Sequence, residues 1–340
     1  MATCIIAEAG VNHNGSLDMA KRLVEAAAQA GADYVKFQTF STEALALRST
    51  PKAAYQLRQT EGGDDQYTML KQLELTPAMH EALIKRCQEV GIRFLSTGFD
   101  TKSIDYLDQL GVPFFKVPSG EITNKPYLRH VAAKGKPVVL STGMATMEEV
   151  KQAIQVMEAS GLDKKQLTVL HCTTEYPAPL EEVNLKAMLH LRDTLGVQVG
   201  YSDHTQGIAV PIAAVTLGAI LIEKHFTLDR NLPGPDHAAS LEPEAFKAMV
   251  EAIRDVEKAL GGSGLKEPSP GELINRAAAR KSLVAATAIK QGEPFTEQNL
   301  TVKRPGTGLS PMNWDQLMGQ PSARNYDPDD MIEPQEPCKK

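Results

Sequence analysis

The sequence predicts an α/β protein, a (β/α)₈ TIM barrel followed by a small C-terminal domain. Three observations carry that expectation. Eight short runs rich in Val, Ile, Leu and Phe recur before residue 230, and amphipathic helical patterns separate them. The length of 340 residues also exceeds what a single core of at most about 250–300 residues accommodates.

The runs occupy 5–7, 34–37, 93–95, 114–117, 138–140, 167–170, 197–199 and 220–222. They are brief and mostly β-branched or aromatic, the mark of parallel strands buried on both faces. After Ser16, the residues Leu17, Ala20, Val24 and Ala27 share one helical face, and Gly31 offers a stop. Thr76-Pro77 reads as an N-cap with a first-turn proline, opening a helix that reaches Gly91. Thr146 and Glu149 form a capping box ahead of Val150, Ala153, Ile154 and Met157. The last long helix of this region, 243–260, presents Phe246, Val250, Ile253 and Val256 on one face. A doubly wound open sheet is the alternative, but eight strands fit it less well and no Gly-x-Gly-x-x-Gly turn follows the first run.

The expected domains are a barrel over 1–260, a linker over 261–280 and a loop-rich module over 281–340. The linker reading comes from Gly261-Gly262-Ser263-Gly264 and Pro268-Ser269-Pro270. In the module, runs such as Ser282-Leu283-Val284-Ala285 are punctuated by Gly and Pro, and so small a core gains stability by docking elsewhere. The final residues, 337–340, are expected to be disordered.

Composition narrows the function. The net charge of −6, from 36 basic and 42 acidic residues, argues against a nucleic-acid or anionic-membrane role. At 42% hydrophobic and 23% charged, the chain is not disordered, collagen-like or a coiled coil. No apolar run approaches the roughly 20 residues of a membrane helix, and the first residues lack the basic and apolar regions of a signal peptide. Cys4, Cys87, Cys172 and Cys338 form no CxxC pair and suit reduced thiols, so a cytoplasmic location is expected.

In a barrel, the residues following each strand build the active site. Here they are Glu8 with Asn12-His13-Asn14-Gly15, then Lys36 and Gln38, Ser96 and Thr97, and Lys116, Ser119 and Glu121. Strands five to eight contribute Ser141 and Thr142, then His171, Thr173, Thr174 and Tyr176, then Ser202, Asp203 and His204, and finally Glu223, Lys224 and His225. Two lysines among several hydroxyls make an anion site, for phosphate plus carboxylate. His204 and His225 are positioned either as structural hydrogen-bonding residues or as ligands of a divalent metal with open positions. Lys36 and Lys116 equally suit pairing with a carboxylate, or the nucleophile of a Schiff-base aldolase or lyase. Alternation sends Cys172 to the face opposite His171, which assigns Cys172 to packing.

At these residues the chain resembles the sialic acid synthase family, of the N-acetylneuraminate synthase and N,N'-diacetyllegionaminate synthase type. The motifs are IIAEAGVNHNGS (5–16), VKFQTF (35–40), FFKVPSGE (114–121), LSTGMAT (140–146), HCTTEYPAP (171–179), GYSDHTQG (200–207) and IEKHFTLDRNLPGPDH (222–237). The stretches ARKSLVA and VKRPGTG (302–308) resemble that family's small antifreeze-like, or SAF, domain. The resemblance implies condensation of phosphoenolpyruvate with the open-chain aldehyde of an N-acetylated hexosamine, N-acetylmannosamine or its 2,4-diacetamido-6-deoxy analogue. A nine-carbon 2-keto acid and inorganic phosphate result.

Carried over residue by residue, the resemblance implies a metal held by His204 and His225, usually Mn²⁺, with Mg²⁺ or Co²⁺ as alternatives. It implies phosphate binding by Thr97, Lys116, Ser119 and Ser141, and carboxylate binding by Lys36 and Ser202. Glu8, Tyr176 and Asp236 would hold the sugar, with Gln38 beside them, and Glu121 would sit near the reacting carbon and its water. Arg304 would reach the sugar's N-acyl group from a partner subunit, making the protein a domain-swapped homodimer. Where some members have an Asn, this chain has Thr173-Thr174, leaving Thr174 a hydroxyl for the carboxylate. The loop with Gly62-Gly63-Asp64-Asp65-Gln66-Tyr67 is expected to line the sugar pocket.

Overall fold

The structure is a computed structural model and describes residues 2–52, 56–57, 60 and 65–334. The expectations for Gly62-Gly63-Asp64 and for 337–340 lie outside the described residues. The chain divides into two units, Met1–Gly261 and Gly262–Lys340.

In the first unit eight strands close a parallel barrel in chain order. They are β1 (Cys4–Gly10), β2 (Tyr34–Thr39), β3 (Arg93–Gly98), β4 (Phe115–Val117), β5 (Val138–Ser141), β6 (Leu167–His171), β7 (Gln198–Asp203) and β8 (Leu221–His225). β1 hydrogen-bonds to both β2 and β8, so no edge is left open. The expected helices form: Leu17–Gln29, Pro77–Val90, Met147–Glu158 and Pro243–Ala259. Thr146 accepts a hydrogen bond from Glu149 N while the Glu149 side chain accepts from Thr146 N, the complete capping box. Gly91 ends its helix in the left-handed conformation, where a side chain would be strained. Phe246, Val250 and Ile253 are buried as their spacing requires.

In the second unit, β9 (Ser282–Ala285) pairs antiparallel with β10 (Leu300–Lys303) over a core of Leu283, Ile289, Phe295, Leu300, Leu317, Tyr326 and Ile332. The segment 261–280 is not all linker. Pro270–Ala279 is a helix with a capping box between Ser269 and Glu272, and Gly306 N donates to Ala277 O, tying it to the following module. The Gly and Pro content of 261–270 hid a helix whose own residues favour that state.

Candidate active site

Parity along the strands decides which side chains face the barrel mouth. In a parallel sheet, paired residues point to the same face and successive residues alternate. Glu8 pairs with both Lys36 and His225, Gln38 with Thr97, Thr97 with Lys116, and Ser202 with Glu223. All of them line one cavity of about 450 Å³ at the C-terminal ends of the strands. Ser119, Glu121, Ser141, Thr174, Tyr176, His204 and Asp236 line the same cavity, so every barrel residue to which the resemblance gives a role lies along it. Arg304 belongs to the second unit and is exposed.

The floor is a buried charge network. Lys36 Nζ lies 2.6 Å from Glu8 Oε2 and donates to Thr97 Oγ1 at 2.7 Å. Lys116 Nζ donates to Ser141 Oγ at 2.7 Å. Glu223 stands between the lysines, 3.6 Å from each, and accepts a hydrogen bond from Ser202 Oγ at 3.0 Å. Burial by itself would raise the Glu223 carboxyl, but Lys116 and Lys36 outweigh it and hold the group down at about 2. Burial pushes Glu8 up to about 7, against the pull of Lys36. The four charges cancel when both carboxylates are ionised, and a proton on Glu8 leaves the floor net positive.

Beside this floor lies a hydroxyl cradle. Gly143 N donates to Ser119 Oγ at 2.9 Å, and Cys172 Sγ is 3.3 Å from the same oxygen. A Cβ on Gly143 would come within 2.0 Å of Thr174 Oγ1 and 2.9 Å of Ser119 Oγ, so only glycine leaves the space open. Thr174 Oγ1 is buried without a hydrogen-bond partner among the described residues. Opposite, Gly10 adopts a positive φ, and its missing Cβ would stand 3.2 Å from Glu8, 3.3 Å from Gln38 and 3.6 Å from Asp236. These three side chains thus converge on one wall, where burial pushes Asp236 up to about 6. Glu121, raised by burial, accepts a hydrogen bond from Asn124 Nδ2 at 2.6 Å.

The two histidines meet above the floor with ring centroids 5.4 Å apart, and Tyr176 stacks obliquely on His204 at 4.3 Å. Burial lowers the pKa of both, so they are neutral. His204 Nδ1 lies 2.6 Å from Thr173 O, which fixes the proton there and leaves Nε2 as the lone-pair donor. His225 Nδ1 is buried without a partner among the described residues. Two neutral imidazoles, one with an orphaned nitrogen, suit a divalent cation. Among the described residues no group of three or more His, Cys, Asp or Glu is arranged to hold one, so a metal here would keep open positions.

Some residues at the strand ends do not face the mouth. Ser141 pairs with Leu170, which puts Leu170 and hence Cys172 on the cavity side and His171 on the other. The assignment of Cys172 to packing is therefore corrected: it lines the cavity, while His171 Nε2 lies 2.8 Å from Val183 O. Asp203 and Lys224, paired across β7 and β8, also face away, with Lys224 Nζ 2.5 Å from Asp203 Oδ2. Asn12 is a buried brace, donating to Phe226 O and Ser240 Oγ. Glu223 was expected only as one of the residues ending β8, with no role given to it. If His225 faces the mouth, the residue two before it does too, and that was the available signal.

A family model described as the NeuB family matches residues 23–264, well over half of the chain. The chain belongs to the NeuB family, the sialic acid synthases. A SAF domain model matches residues 280–335. Among the most similar relatives is the N,N'-diacetyllegionaminic acid synthase of Campylobacter jejuni, 51% identical over 97% of this chain and 98% of that one. The protein of the same name in Legionella pneumophila is 49% identical over 95% of this chain and 91% of that one. The crystal structure of an N-acetylneuraminic acid (sialic acid) synthetase from Leptospira borgpetersenii, in complex with citrate, superposes with a TM-score of 0.70. It is 33% identical and covers 81% of this chain and 90% of its own.

Proposed function

We propose that this cavity condenses phosphoenolpyruvate with the 2,4-diacetamido-6-deoxy hexosamine, forming N,N'-diacetyllegionaminic acid and phosphate. The condensation itself is the activity of the family: phosphoenolpyruvate and an N-acetylated hexosamine give a nine-carbon 2-keto acid. The choice of acceptor is supported by near-full-length identity of 51% to a synthase of that name. The observation that carries the chemistry is the floor, where two buried lysines, Thr97, Ser141 and Ser202 surround Glu223.

Lys116, Thr97, Ser119 and Ser141 bind the phosphate in this reading, and Lys36 with Ser202 and Thr174 binds the carboxylate. Glu8, Gln38, Tyr176 and Asp236 hold the sugar so that its aldehyde carbon meets C3 of phosphoenolpyruvate. As that bond forms, the aldehyde oxygen takes a proton, for which Glu8 with its raised pKa is suited, and becomes a hydroxyl, while positive charge develops at C2, which the remaining carboxylates of the cavity stabilise. Water adds at C2, and Glu121, raised by burial, is suited to take its proton. Phosphate then leaves into the lysine and hydroxyl set. The family is generally metal-dependent; His204 and His225 would hold the ion, for which we propose Mn²⁺, and when bound it supplies a Lewis acid for the aldehyde oxygen.

Phosphate release measured with phosphoenolpyruvate, Mn²⁺ and either acceptor tests this. Release is expected only with an amino sugar present and is expected to stop in chelator. A borohydride-trapped adduct with pyruvate, together with activity that survives chelation, would instead establish a Schiff-base enzyme. Lys36 is poorly suited to that role, since Glu223 and Glu8 overcome the effect of burial and raise its pKa.

Arg304 completes the sugar side of a partner's barrel in this proposal, within a domain-swapped homodimer. Arg304→Ala is then expected to raise the KM for the sugar about tenfold or more, the loss of a charged hydrogen bond. Mixing it with His225→Ala gives heterodimers with one intact site, restoring about a quarter of wild-type activity after random exchange. Failure to complement would mean that each small domain serves its own barrel.

A further inference from the structure

One set of the residues lining the cavity differs in character from its floor. Val11 after β1, Phe99 after β3, and Leu45, Met69, Leu70 and Leu73 from the β2–β3 connection line it. These six, with Phe40, form an apolar cluster separate from the barrel core. The cluster packs the β2–β3 connection onto the barrel, and six of its residues also face the substrate space. Two amides interrupt this wall: Gln66 Nε2 donates to Gln56 Oε1 at 3.2 Å, and both line the cavity. Among the described lining residues the ammonium groups are Lys36 and Lys116, both engaged at the floor. Lys52 instead lines a neighbouring cavity that shares Met69 and Leu73.

We infer that this wall selects the acceptor, with Met69, Leu70 and Leu73 receiving the methyl groups of a deoxy, doubly acetamidated sugar and Gln66 hydrogen-bonding one acetamido group. The inference rests on the condensing function proposed above and deepens it. A carboxamide side chain offers both a donor and an acceptor, matching the acetamido C=O and N–H. A methyl at C6 loses nothing on leaving water for this wall. A C6 hydroxyl against these apolar side chains would give up hydration, and a C6 phosphate would in addition meet, among the described lining residues, no ammonium group beyond the two engaged at the floor. Apolar pockets discriminate by roughly 10- to 200-fold for a methyl-sized difference, and by about 100-fold against an added hydroxyl. The preference expected here is therefore substantial but not absolute.

The test compares kcat/KM for the 2,4-diacetamido-6-deoxy sugar, N-acetylmannosamine and N-acetylmannosamine 6-phosphate, with phosphoenolpyruvate and Mn²⁺ saturating. The wild type is expected to prefer the first by roughly 10- to 200-fold over the second and to use the third least. Leu70→Ser, at a half-buried position, and Gln66→Leu, which keeps the wall apolar, are each expected to cut that preference about tenfold. The readout is a ratio between two substrates, which a general loss of folded protein leaves unmoved. A wild type without preference, or variants that lose both acceptors equally, would overturn the inference and leave the condensing function standing. Failure to condense any of the three sugars would overturn the function itself, and the inference with it.

Discussion

Replacing His225 with alanine is expected to abolish turnover in a protein that remains folded. His225 ends β8 with its imidazole buried and neutral, and Nδ1 has no partner among the described residues. Truncation costs that nitrogen no hydrogen bond among the described residues, and the vacated volume opens onto an existing cavity rather than the core. Stability should therefore change by no more than about 1–2 kcal/mol. The chemistry should suffer far more. Losing one of two imidazoles that would hold the Lewis acid is expected to lower kcat by roughly three orders of magnitude, about 4 kcal/mol of barrier. Titration calorimetry should show Mn²⁺ binding lost alongside turnover, while the thermal transition stays near that of the wild type. His171→Ala, on the opposite face of β6, is the control and should retain both. Undiminished Mn²⁺ binding by the His225 variant would remove the metal assignment.

The contrast between His225 and His171 shows what was legible in the sequence. The eight strands were, because each is a short apolar run, and so were the site residues two apart on a strand, such as Lys36 with Gln38. Which polar residue of a consecutive set faces inward is settled by inter-strand register, which no single run contains. The register of β5 on β6 put Cys172 in the cavity, and that of β7 on β8 put Glu223 there and Lys224 behind it. The apolar wall was illegible for a related reason. Val11, Met69 and Phe99 come from three connections with no shared periodicity, and only the closed barrel brings them together. The helix at 270–279 is a different case. Its capping box, Ser269 to Glu272, was present in the sequence but outweighed by the glycines and prolines before it.

Lys224→Met is expected to destabilise the barrel by about 3–5 kcal/mol, the cost of stranding a buried charge. Lys224 and Asp203 are fully buried behind the sheet, and Lys224 Nζ reaches both Asp203 Oδ2 and Thr205 O at 2.5 Å. Asp203 Oδ1 in turn accepts from Thr205 N at 3.0 Å, so the pair braces the turn on either side of His204. With Lys224 gone, Asp203 keeps that backbone contact but has no cation, and water cannot reach it. A second substitution should return most of the loss. In Lys224→Met/Asp203→Leu both charges are absent, and apolar replacements of a buried pair are often near neutral. Urea denaturation of the two single variants and the double one closes the cycle. If Lys224→Met proves as stable as the double variant, the pair is not holding its strands. The brace also has a consequence for chemistry, because Asp203 precedes His204 and Lys224 precedes His225. The double variant should recover stability without recovering the fixed separation of the two imidazoles. Its Mn²⁺ affinity is expected to remain about 10- to 100-fold below wild type, the usual scale for losing support behind metal ligands. Stability and metal binding would then part company in one protein, which a purely structural ion pair would not produce.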